Sequence, residues 1–334
     1  MKEFSYLDKF IYCEFIVTFL CNNKCPYCFW AGNLTGDAFM YKQRGPWLPK
    51  QRLSRSAFDL LRKLKVLKYT DAFRNYPLQT WQELFAQIFK DRIAYLSFTG
   101  GEPLIHQKNL LGLMRTLADV SEDFVVRFDT NGSIVPDFPP GLREKISYNI
   151  SYHRSQISLD KFLDNLSRIA EQGRILMINR VVHHEDEMSE AIREMEFFAA
   201  RNLFLNINPA FFDIRHWKQA NIDLLKTVTH PLDYGLKIEQ RVTGKSCKYP
   251  IFGFQLLPSG YAWVPPCSSR TVNLMKTKRV DDVLIRKAIK CPSKTCVCLH
   301  QYSFTEGIRR NAHSYDIMDN FVREHIQVRK ERGS

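Results

Sequence analysis

Long apolar runs are missing from this 334-residue chain: no stretch reaches about 18 consecutive uncharged apolar residues, the length that a transmembrane helix needs. The apolar run from Phe10 to Leu20 is interrupted by Glu14 and is followed by no small-residue cleavage site, so we expect a strand and not a signal peptide. With no export signal, we expect a cytoplasmic protein whose nine cysteines are reduced thiols or metal ligands and not disulfides.

The usual nucleic-acid-binding patterns are also missing: there is no RNP pattern, no zinc-finger spacing and no basic zipper. The chain carries 48 Lys and Arg against 35 Asp and Glu, a formal net charge of +13. This surplus favours an anionic partner. We therefore expect a small anionic molecule or a peptide as substrate, and neither a nucleic acid nor a membrane.

Three cysteines in a loop after the first apolar run form the pattern CxxxCxxC: Cys21, Cys25 and Cys28. Thiolates are soft ligands that iron-sulfur clusters and zinc select. Three are too few for a closed tetrahedral zinc site, but they suit a [4Fe-4S] cluster that keeps one iron open. A zinc site completed by a remote histidine is the alternative.

A second motif, Thr99-Gly100-Gly101-Glu102-Pro103, ends another apolar run. The CxxxCxxC loop with an aromatic residue before its last cysteine, followed by GGEP, resembles the radical S-adenosylmethionine (radical SAM) superfamily. The resemblance implies that the three cysteines hold a [4Fe-4S] cluster whose open iron binds S-adenosylmethionine. It also implies that one electron cleaves this cosubstrate to a 5'-deoxyadenosyl radical, which takes hydrogen from a substrate.

By the same resemblance, Gly100 and Gly101 let backbone approach the methionine part of the cosubstrate, because they have no Cβ. Glu102 accepts hydrogen bonds from its ammonium group.

Three further cosubstrate contacts are implied. Tyr27 lies at the aromatic position whose neighbourhood contacts adenine, and Ser151 matches the residue that contacts the ribose. Asn131 lies in the third-strand segment near the cosubstrate. For Ser151, a hydrogen-bonded core serine is the alternative.

Apolar, β-branched runs alternate with helical patterns, which is typical of βα units around a parallel sheet. The predicted strands are Phe10 to Phe19, Arg92 to Thr99, Phe124 to Thr130, Ile146 to His153, Ile175 to Val182 and Leu203 to Asn208. The predicted helices are Ser54 to Lys68, Leu78 to Lys90, Leu110 to Ala118, Leu159 to Glu171 and Glu187 to Ala200. The pattern gives six βα units, and the resemblance implies that they form a partial (β/α)6 barrel over residues 1–210, with an insertion at about 31–91.

Polar residues alternate with apolar ones in several of these strands, so that one face of each strand is polar. The polar positions are Ser97 and Thr99; Arg127, Asp129 and Asn131; Ser147, Asn149, Ser151 and His153; and Asn206 and Asn208. Burying them without partners would be costly. We expect them to line a polar lumen for cosubstrate and substrate, or to satisfy one another in the core.

A second cysteine group follows a linker at residues 211–245, in a predicted domain at 246–334. Its candidate ligands are Cys247, Cys267, Cys291, Cys296 and Cys298, and a hairpin over Phe252 to Val264 lies between the first two. This arrangement resembles the twitch extension, the short relative of the SPASM domain, and implies a second, auxiliary [4Fe-4S] cluster. One cluster needs four ligands, so which four bind stays open, as does a four-cysteine zinc site. Cys13 is predicted to be a buried apolar side chain.

Two kinds of residue are weaker candidates. His183 and His184 end the fifth strand, where a proton acceptor would be useful, although a solvated histidine is the better interpretation. Arg127, Arg154 and Arg180 are candidates to bind an anion or to form ion pairs.

The sequence thus predicts a radical SAM enzyme that acts on an anionic sugar, nucleotide sugar or natural-product intermediate and takes electrons from flavodoxin or ferredoxin. The alternatives are a maturase of a ribosomally made peptide and an electron carrier without catalysis.

Overall fold

A computed structural model of the chain describes residues 9–25, 71–182, 184–209, 217–228, 243–264 and 271–291. The strands in these ranges are β1 (Phe10–Thr18), β2 (Ile93–Gly100), β3 (Asp123–Thr130), β4 (Ile146–Tyr152), β5 (Arg174–Val182), β6 (Leu205–Pro209), β7 (Ser246–Cys247), β8 (Gly253–Leu256), β9 (Tyr261–Trp263), β10 (Val272–Asn273) and β11 (Ile289–Lys290). The α-helices are α1 (Ala72–Asn75), α2 (Leu78–Phe89), α3 (Gln107–Val120), α4 (Pro140–Arg143), α5 (Leu159–Ala170), α6 (Met188–Ala199), α7 (Gln219–Val228) and α8 (Leu274–Thr277). Short 3-10 turns lie at Pro103–His106, Glu185–Glu187, Tyr249–Ile251 and Val280–Asp282.

Nine of these strands form one largely parallel sheet in the order β10-β9-β8-β1-β2-β3-β4-β5-β6. The six predicted strands are confirmed as β1 to β6, and each is parallel to the next. Parallel neighbours need a crossover connection, and the helices α2, α3, α5 and α6 supply four of these. The chain is therefore a mixed α/β protein, as predicted. Among the described residues, the structure has no helix that combines the length and the apolar character of a membrane span.

The helices cover one face of the sheet because their apolar sides pack against aromatic residues there. The ring of Phe15 in β1 lies 4.7 Å from that of Trp81 and 5.7 Å from that of Phe85, both in α2. Farther along the sheet, the ring of Tyr152 in β4 lies 4.6 Å from that of Phe162 in α5. All five side chains are buried. Burying each of them contributes about 2 to 3 kcal/mol to the free energy of unfolding. Because the helices cover this face, the other face of the sheet is turned to the interior.

The predicted hairpin is confirmed: β8 and β9 are antiparallel, and Gly260 in the turn between them has a positive φ of 79°. Strand β8 also pairs in parallel with β1, so β8 to β10 extend the main sheet beyond β1. The domain boundary at residue 246 stays a prediction. The predicted helix from Ser54 to Lys68 lies outside the described residues.

Candidate functional site

The two sequence motifs meet at the carboxyl end of the sheet. The N–H of Gly101 donates to the carbonyl of Thr18 at 2.7 Å, and the N–H of Glu102 donates to that of Leu20 at 2.8 Å. A Cβ on Gly100 would lie 2.1 Å from the Thr18 oxygen, and one on Gly101 would lie 2.1 Å from the Leu20 oxygen. Gly100 also has a φ of 126°. Both positions therefore need glycine, because a side chain would clash with the backbone of residues 18–20. This close backbone contact holds the start of the cysteine loop beside β2.

Glu102 joins the ends of β2 and β3. Its carboxylate is fully buried and accepts from the N–H of Leu104 at 3.1 Å, the hydroxyl of Thr130 at 2.9 Å and the N–H of Asn131 at 2.8 Å. Burial raises the pKa of Glu102 to about 7, although these hydrogen bonds act in the opposite direction. The Thr130 hydroxyl is also 3.0 Å from the second carboxylate oxygen. The chain's own donors therefore make four contacts with this carboxylate, about as many as a carboxylate accepts.

Asn131 docks the cysteine loop onto the end of β3. Its side-chain amide donates to the Cys21 sulfur at 3.5 Å and to the Asn22 side-chain oxygen at 2.9 Å. Ser133 completes the contact: its hydroxyl donates to Asn131 Oδ1 at 2.5 Å and accepts from Asn22 Nδ2 at 2.7 Å. Asn131 is buried, whereas Asn22 is exposed, so this contact lies at the edge of the interior. The structure therefore brings together two residues that sequence reasoning placed at one site, Cys21 and Asn131.

The described part of the cysteine loop, residues 21–25, offers two thiols that could bind a metal. Cys25 is buried and Cys21 half-buried, and neither forms a disulfide. The N–H of Asn23 donates to the Cys21 sulfur at 3.4 Å, so this sulfur receives two N–H donors. The N–H of Lys24 donates to the side chain of Gln156 at 2.8 Å, which ties the loop to the segment after β4. Tyr27 and Cys28 lie outside the described residues.

A buried network that the sequence did not suggest holds the start of this loop. Asp71 accepts from the Thr18 hydroxyl at 3.0 Å and is 2.7 Å from Nε2 of His106, which ends the 3-10 turn after GGE. It also caps α1 by accepting from backbone N–H groups. Burial by itself raises the pKa of Asp71, but the bonds from His106 and Thr18 outweigh it and lower the pKa below the ordinary value. The Thr18 hydroxyl in turn accepts from the N–H of Leu20 at 3.1 Å.

The face of the sheet opposite the helices carries the predicted polar side chains. In register across the strands, this polar face consists of Gln255, Glu14, Ser97, Arg127, Asp129, Asn149, Ser151, Asn179 and Asn206. Ser151 is half-buried opposite Asn179. The predicted alternation is therefore confirmed. Glu14, Gln255 and Asn179 were missed as members, although the signal was present for Glu14, an acid at an interior position of an apolar run.

Asp129 is the centre of a hydrogen-bond network on the polar face. It accepts from the Ser97 hydroxyl at 3.0 Å, the Arg127 guanidinium at 3.1 Å and the Asn149 amide at 3.1 Å. Arg127 is buried, and its guanidinium also donates to Ser97 at 2.8 Å. The charge of Arg127 is therefore paired within the chain.

The other two candidate arginines also form ion pairs. Arg180 is buried and donates to Glu194 at 2.7 Å and to Glu187 at 3.0 Å. Arg154 contacts Glu190 and Glu194. Of the two interpretations of these arginines, the structure bears out the ion pair for all three.

Glu14 lies in the middle of β1 and faces the same interior. The amide of Gln255 in β8 donates to its carboxylate at 2.8 Å. Burial, together with the nearby carboxylate of Asp129, raises the pKa of Glu14 to about 7. A carboxyl group that changes its charge near neutral pH thus belongs to the polar face.

Two of the five C-terminal cysteines lie close to each other, one in β7 and one directly after β11. Cys247 in β7 pairs with Ile289 in β11, and the N–H of Cys291 donates to the carbonyl of Lys245 at 2.9 Å. Both cysteines are buried, and neither forms a disulfide. Within the described ranges, no group of three or more metal-ligating residues is assembled. Cys267, Cys296 and Cys298 lie outside those ranges.

The remaining predicted residues divide as follows. Cys13 is fully buried, as predicted, and burial raises the pKa of its thiol. His184 precedes the 3-10 turn at Glu185–Glu187, and His183 lies outside the described residues.

Comparisons with known proteins give no family assignment: no protein-family model matches the chain, and no curated protein matches it. Among solved structures, native anSMEcpe with bound AdoMet has 12% sequence identity and a TM-score of 0.49, covering 80% of this chain and 78% of that one. BtrN in complex with AdoMet and 2-DOIA has 13% identity and a TM-score of 0.26, covering 76% and 72%. Both TM-scores are below 0.5, and these similarities concern the fold alone.

Proposed function

We propose that this chain is a radical SAM enzyme. The observation that carries the proposal is the contact of its two motifs: the GGE backbone bonds to residues 18–20, and Asn131, bonded to Glu102, donates to the sulfur of Cys21. In parallel α/β sheets, chemistry is placed at the carboxyl ends of the strands. The CxxxCxxC and GGEP segments meet at that end of β1, β2 and β3.

The donor set suits the cofactors that the motifs imply. Cys21, Cys25 and Cys28 would hold a [4Fe-4S] cluster, and Gly100, Gly101, Glu102, Asn131, Ser151 and Tyr27 would surround S-adenosylmethionine. When bound, these cofactors supply a 5'-deoxyadenosyl radical that abstracts hydrogen. Two buried polar atoms support the fit of these residues to the cofactors, because they have no hydrogen-bond partner among the described residues. They are Nδ2 of Asn23 in the cysteine loop and Oδ1 of Asn149 on the polar face. Buried polar atoms require partners, and a polar cosubstrate and substrate would provide them.

The chain's own residues position and shield this chemistry. Asn131 and Asn23 direct N–H groups at the Cys21 sulfur, and hydrogen bonds to cluster sulfurs tune the reduction potential. Glu102 would accept from the ammonium group of the cosubstrate in place of one of its two contacts with the Thr130 hydroxyl. Its burial keeps water away from that contact.

For the substrate we propose a small molecule such as a sugar, a nucleotide sugar or a natural-product intermediate. The polar face supports this proposal because it offers hydroxyl and amide groups in a buried interior. The support for an anionic substrate is the net charge of +13. It does not come from Arg127, Arg154 and Arg180, because each forms an ion pair with an acidic side chain. A ribosomally made peptide stays the alternative substrate, and an electron carrier is the alternative of another class.

We further propose an auxiliary [4Fe-4S] cluster in the C-terminal region, which would accept an electron from the substrate radical or bind substrate. The position of Cys247 in β7 and of Cys291 directly after the paired strand β11 supports it. Cys267, Cys296 and Cys298 are the other candidate ligands, and a zinc site is the alternative. The electron donor would be flavodoxin or ferredoxin, and the compartment the cytoplasm.

The test is the metal content of the anaerobically reconstituted full chain, with electron paramagnetic resonance and a 5'-deoxyadenosine assay. The wild type should hold about eight irons and the Cys21/Cys25/Cys28→Ala variant about four. Only the wild type should form 5'-deoxyadenosine from S-adenosylmethionine after reduction. A wild type that holds iron but forms no 5'-deoxyadenosine would support the electron carrier. A triple variant without iron would remove the auxiliary cluster, and zinc in that variant would identify the alternative.

A further inference from the structure

A cavity of about 430 Å³ lies on the helix side of the sheet, separate from the polar face. It is enclosed by the end of β4, the start of α5 and one face of α6, and Tyr152, Leu159 and Phe197 form its apolar wall. The ring of Tyr152 packs on that of Phe162 in α5 at 4.6 Å, which places this side chain among the helices. Small-molecule pockets have volumes of about 300 to 1,000 Å³. The cavity is therefore large enough for a small ligand.

The hydroxyl of Tyr152 is one of two groups at this cavity that lack a partner. The residue is only 1% exposed, yet its hydroxyl forms no hydrogen bond among the described residues. Buried polar groups are normally hydrogen-bonded. Burial raises the pKa of Tyr152, and the carboxylate of Glu194 raises it further. The hydroxyl therefore keeps its proton at neutral pH and is a donor for a ligand.

Arg193 is the second group. It lines the cavity from α6 and forms no ion pair or hydrogen bond within the described part of the chain. The other arginine of the lining, Arg154, contacts both Glu190 and Glu194. An unpaired guanidinium beside an apolar wall suits a carboxylate, which it can bind with two parallel hydrogen bonds. Arg193 and the Tyr152 hydroxyl thus both favour a ligand with a carboxylate.

The two glutamates of the lining disfavour a ligand that is only anionic. Two arginines and two glutamates line the cavity, so its charges balance before a ligand binds. Glu194 is held by Arg154 and by the buried Arg180, whereas Glu190 has Arg154 as its one partner among the described residues. Glu190 and Arg193 are three positions apart in α6 and are therefore neighbours on one face of the helix. A ligand with an ammonium group beside its carboxylate would bind both.

We infer that this cavity binds a free α-amino acid with an apolar side chain. Its carboxylate bonds to Arg193 and the Tyr152 hydroxyl, its ammonium group bonds to Glu190, and its side chain packs on Leu159 and Phe197. The cavity and the polar face are on opposite sides of the sheet, so the amino acid is a ligand in addition to the substrate. The inference goes beyond the proposed function and does not depend on it.

Isothermal titration calorimetry of the anaerobically reconstituted full chain at pH 7 tests this site. S-adenosylmethionine is present in excess, so that the probe cannot occupy the place of the cosubstrate. The probe is L-leucine. Its counterparts are N-acetyl-L-leucine, which has no ammonium group, and L-leucinamide, which has no carboxylate. Leucine should bind with a Kd below about 1 mM, and each counterpart should bind about tenfold or more weakly because it loses a charged hydrogen bond.

Arg193→Gln should weaken leucine binding about tenfold or more and leave leucinamide binding unchanged, because leucinamide has no carboxylate for the guanidinium. Arg193 is exposed, so we expect this variant to fold. Arg168→Gln is the matched control, since Arg168 is an exposed residue of α5 outside the cavity lining.

Tyr152→Phe retains the ring and should weaken leucine binding about three- to tenfold, because only the hydroxyl donor is lost. Tyr148→Phe is its control. Tyr148 lies on the same face of β4, but its hydroxyl bonds to the Gln172 carbonyl at 3.5 Å and does not line the cavity.

Three results would overturn the inference: no binding of leucine at about 10 mM, equal binding of leucine and either counterpart, or unchanged leucine binding by Arg193→Gln. Equal binding of N-acetyl-leucine in particular would show a site for a plain carboxylate and not for an amino acid. None of these measurements includes turnover, and the 5'-deoxyadenosine assay decides the proposed function separately.

Discussion

The side-chain amide of Asn131 donates a hydrogen bond to the sulfur of Cys21, across 110 residues of sequence. The same amide donates to Asn22, and the N–H of Asn131 donates to Glu102. One asparagine therefore connects the first cysteine to the GGEP segment. Hydrogen bonds from the ends of β2 and β3 therefore help to position the cysteine loop.

Replacement of Asn131 by alanine should therefore disturb the metal site. Loss of the part-buried side-chain bonds to Cys21, Asn22 and Ser133 should lower the free energy of unfolding by about 1 to 2 kcal/mol. Loss of the N–H···S bond should make the cluster's reduction potential more negative. Urea unfolding and potentiometric titration would measure the two effects.

Asn165→Ala is the matched control. Asn165 is also buried, and in the described part of the chain its side chain bonds to the carbonyls of Gly132 and Ser133 and not to a cysteine. It should lower stability and leave the potential unchanged. The same potential in Asn131→Ala as in the wild type would show that the contact with Cys21 has no electronic role.

Gly101→Ala should displace the cysteine loop. The new Cβ would lie 2.1 Å from the carbonyl oxygen of Leu20, and backbone atoms on both sides cannot separate without breaking the bonds between the two segments. We expect a loss of about 2 to 4 kcal/mol in the free energy of unfolding and reduced iron content. Gly141→Ala is the control, since its Cβ would meet no atom within 4 Å. Equal stability of the two variants would contradict the close approach.

Asp71→Asn should weaken the anchor of the loop by about 1 to 3 kcal/mol, because it removes the charged acceptor of Thr18, His106 and the α1 cap. The pKa of Asp71 is lowered from its ordinary 3.8 in the folded protein. Its contribution is therefore complete above about pH 4 and is lost as the pH falls through the lower folded-state pKa. Urea unfolding from pH 3 to 7 would check this; a difference between wild type and variant that did not shrink from about pH 4 to pH 3 would refute it. Asp160→Asn, at an exposed position in α5, should change stability by less than about 0.5 kcal/mol.

Glu14 should give the opposite pH dependence. Its pKa is raised from 4.5 to about 7 by folding, so the unfolded chain releases the proton first as the pH rises. Wild-type stability should therefore decline between about pH 4.5 and 7, by about 1 to 3 kcal/mol, relative to Glu14→Gln. Above pH 7 the difference should be constant. If the free energies of unfolding of the two proteins changed in parallel over this pH range, burial would not disfavour the charged form of Glu14. The control Ser147→Ala should show the same pH dependence as the wild type.

The strands and helices could be predicted from the sequence because their periodicity is local. Strand β1 was expected from Phe10 to Phe19 and runs from Phe10 to Thr18, and helix α5 was expected from Leu159 to Glu171 and ends one residue earlier. Alternation also gave the polar face, since side chains two residues apart share a face. The pairing of Glu14 with Gln255 could not be predicted, because the two residues are 241 positions apart and alternation says nothing of which strands become neighbours.

By itself, then, the sequence determined the elements of secondary structure, the polarity of each strand face and the CxxxCxxC and GGEP motifs, all of which depend on residues close together in the chain. Only the tertiary structure decided what those residues contact. It placed Leu20 against Gly101, Asn131 on Cys21, Asp71 between Thr18 and His106, and Asp129 beside Arg127. The physical reason is that register and sheet order bring together residues from distant segments, and burial there makes each hydrogen bond and charge pair depend on its partner.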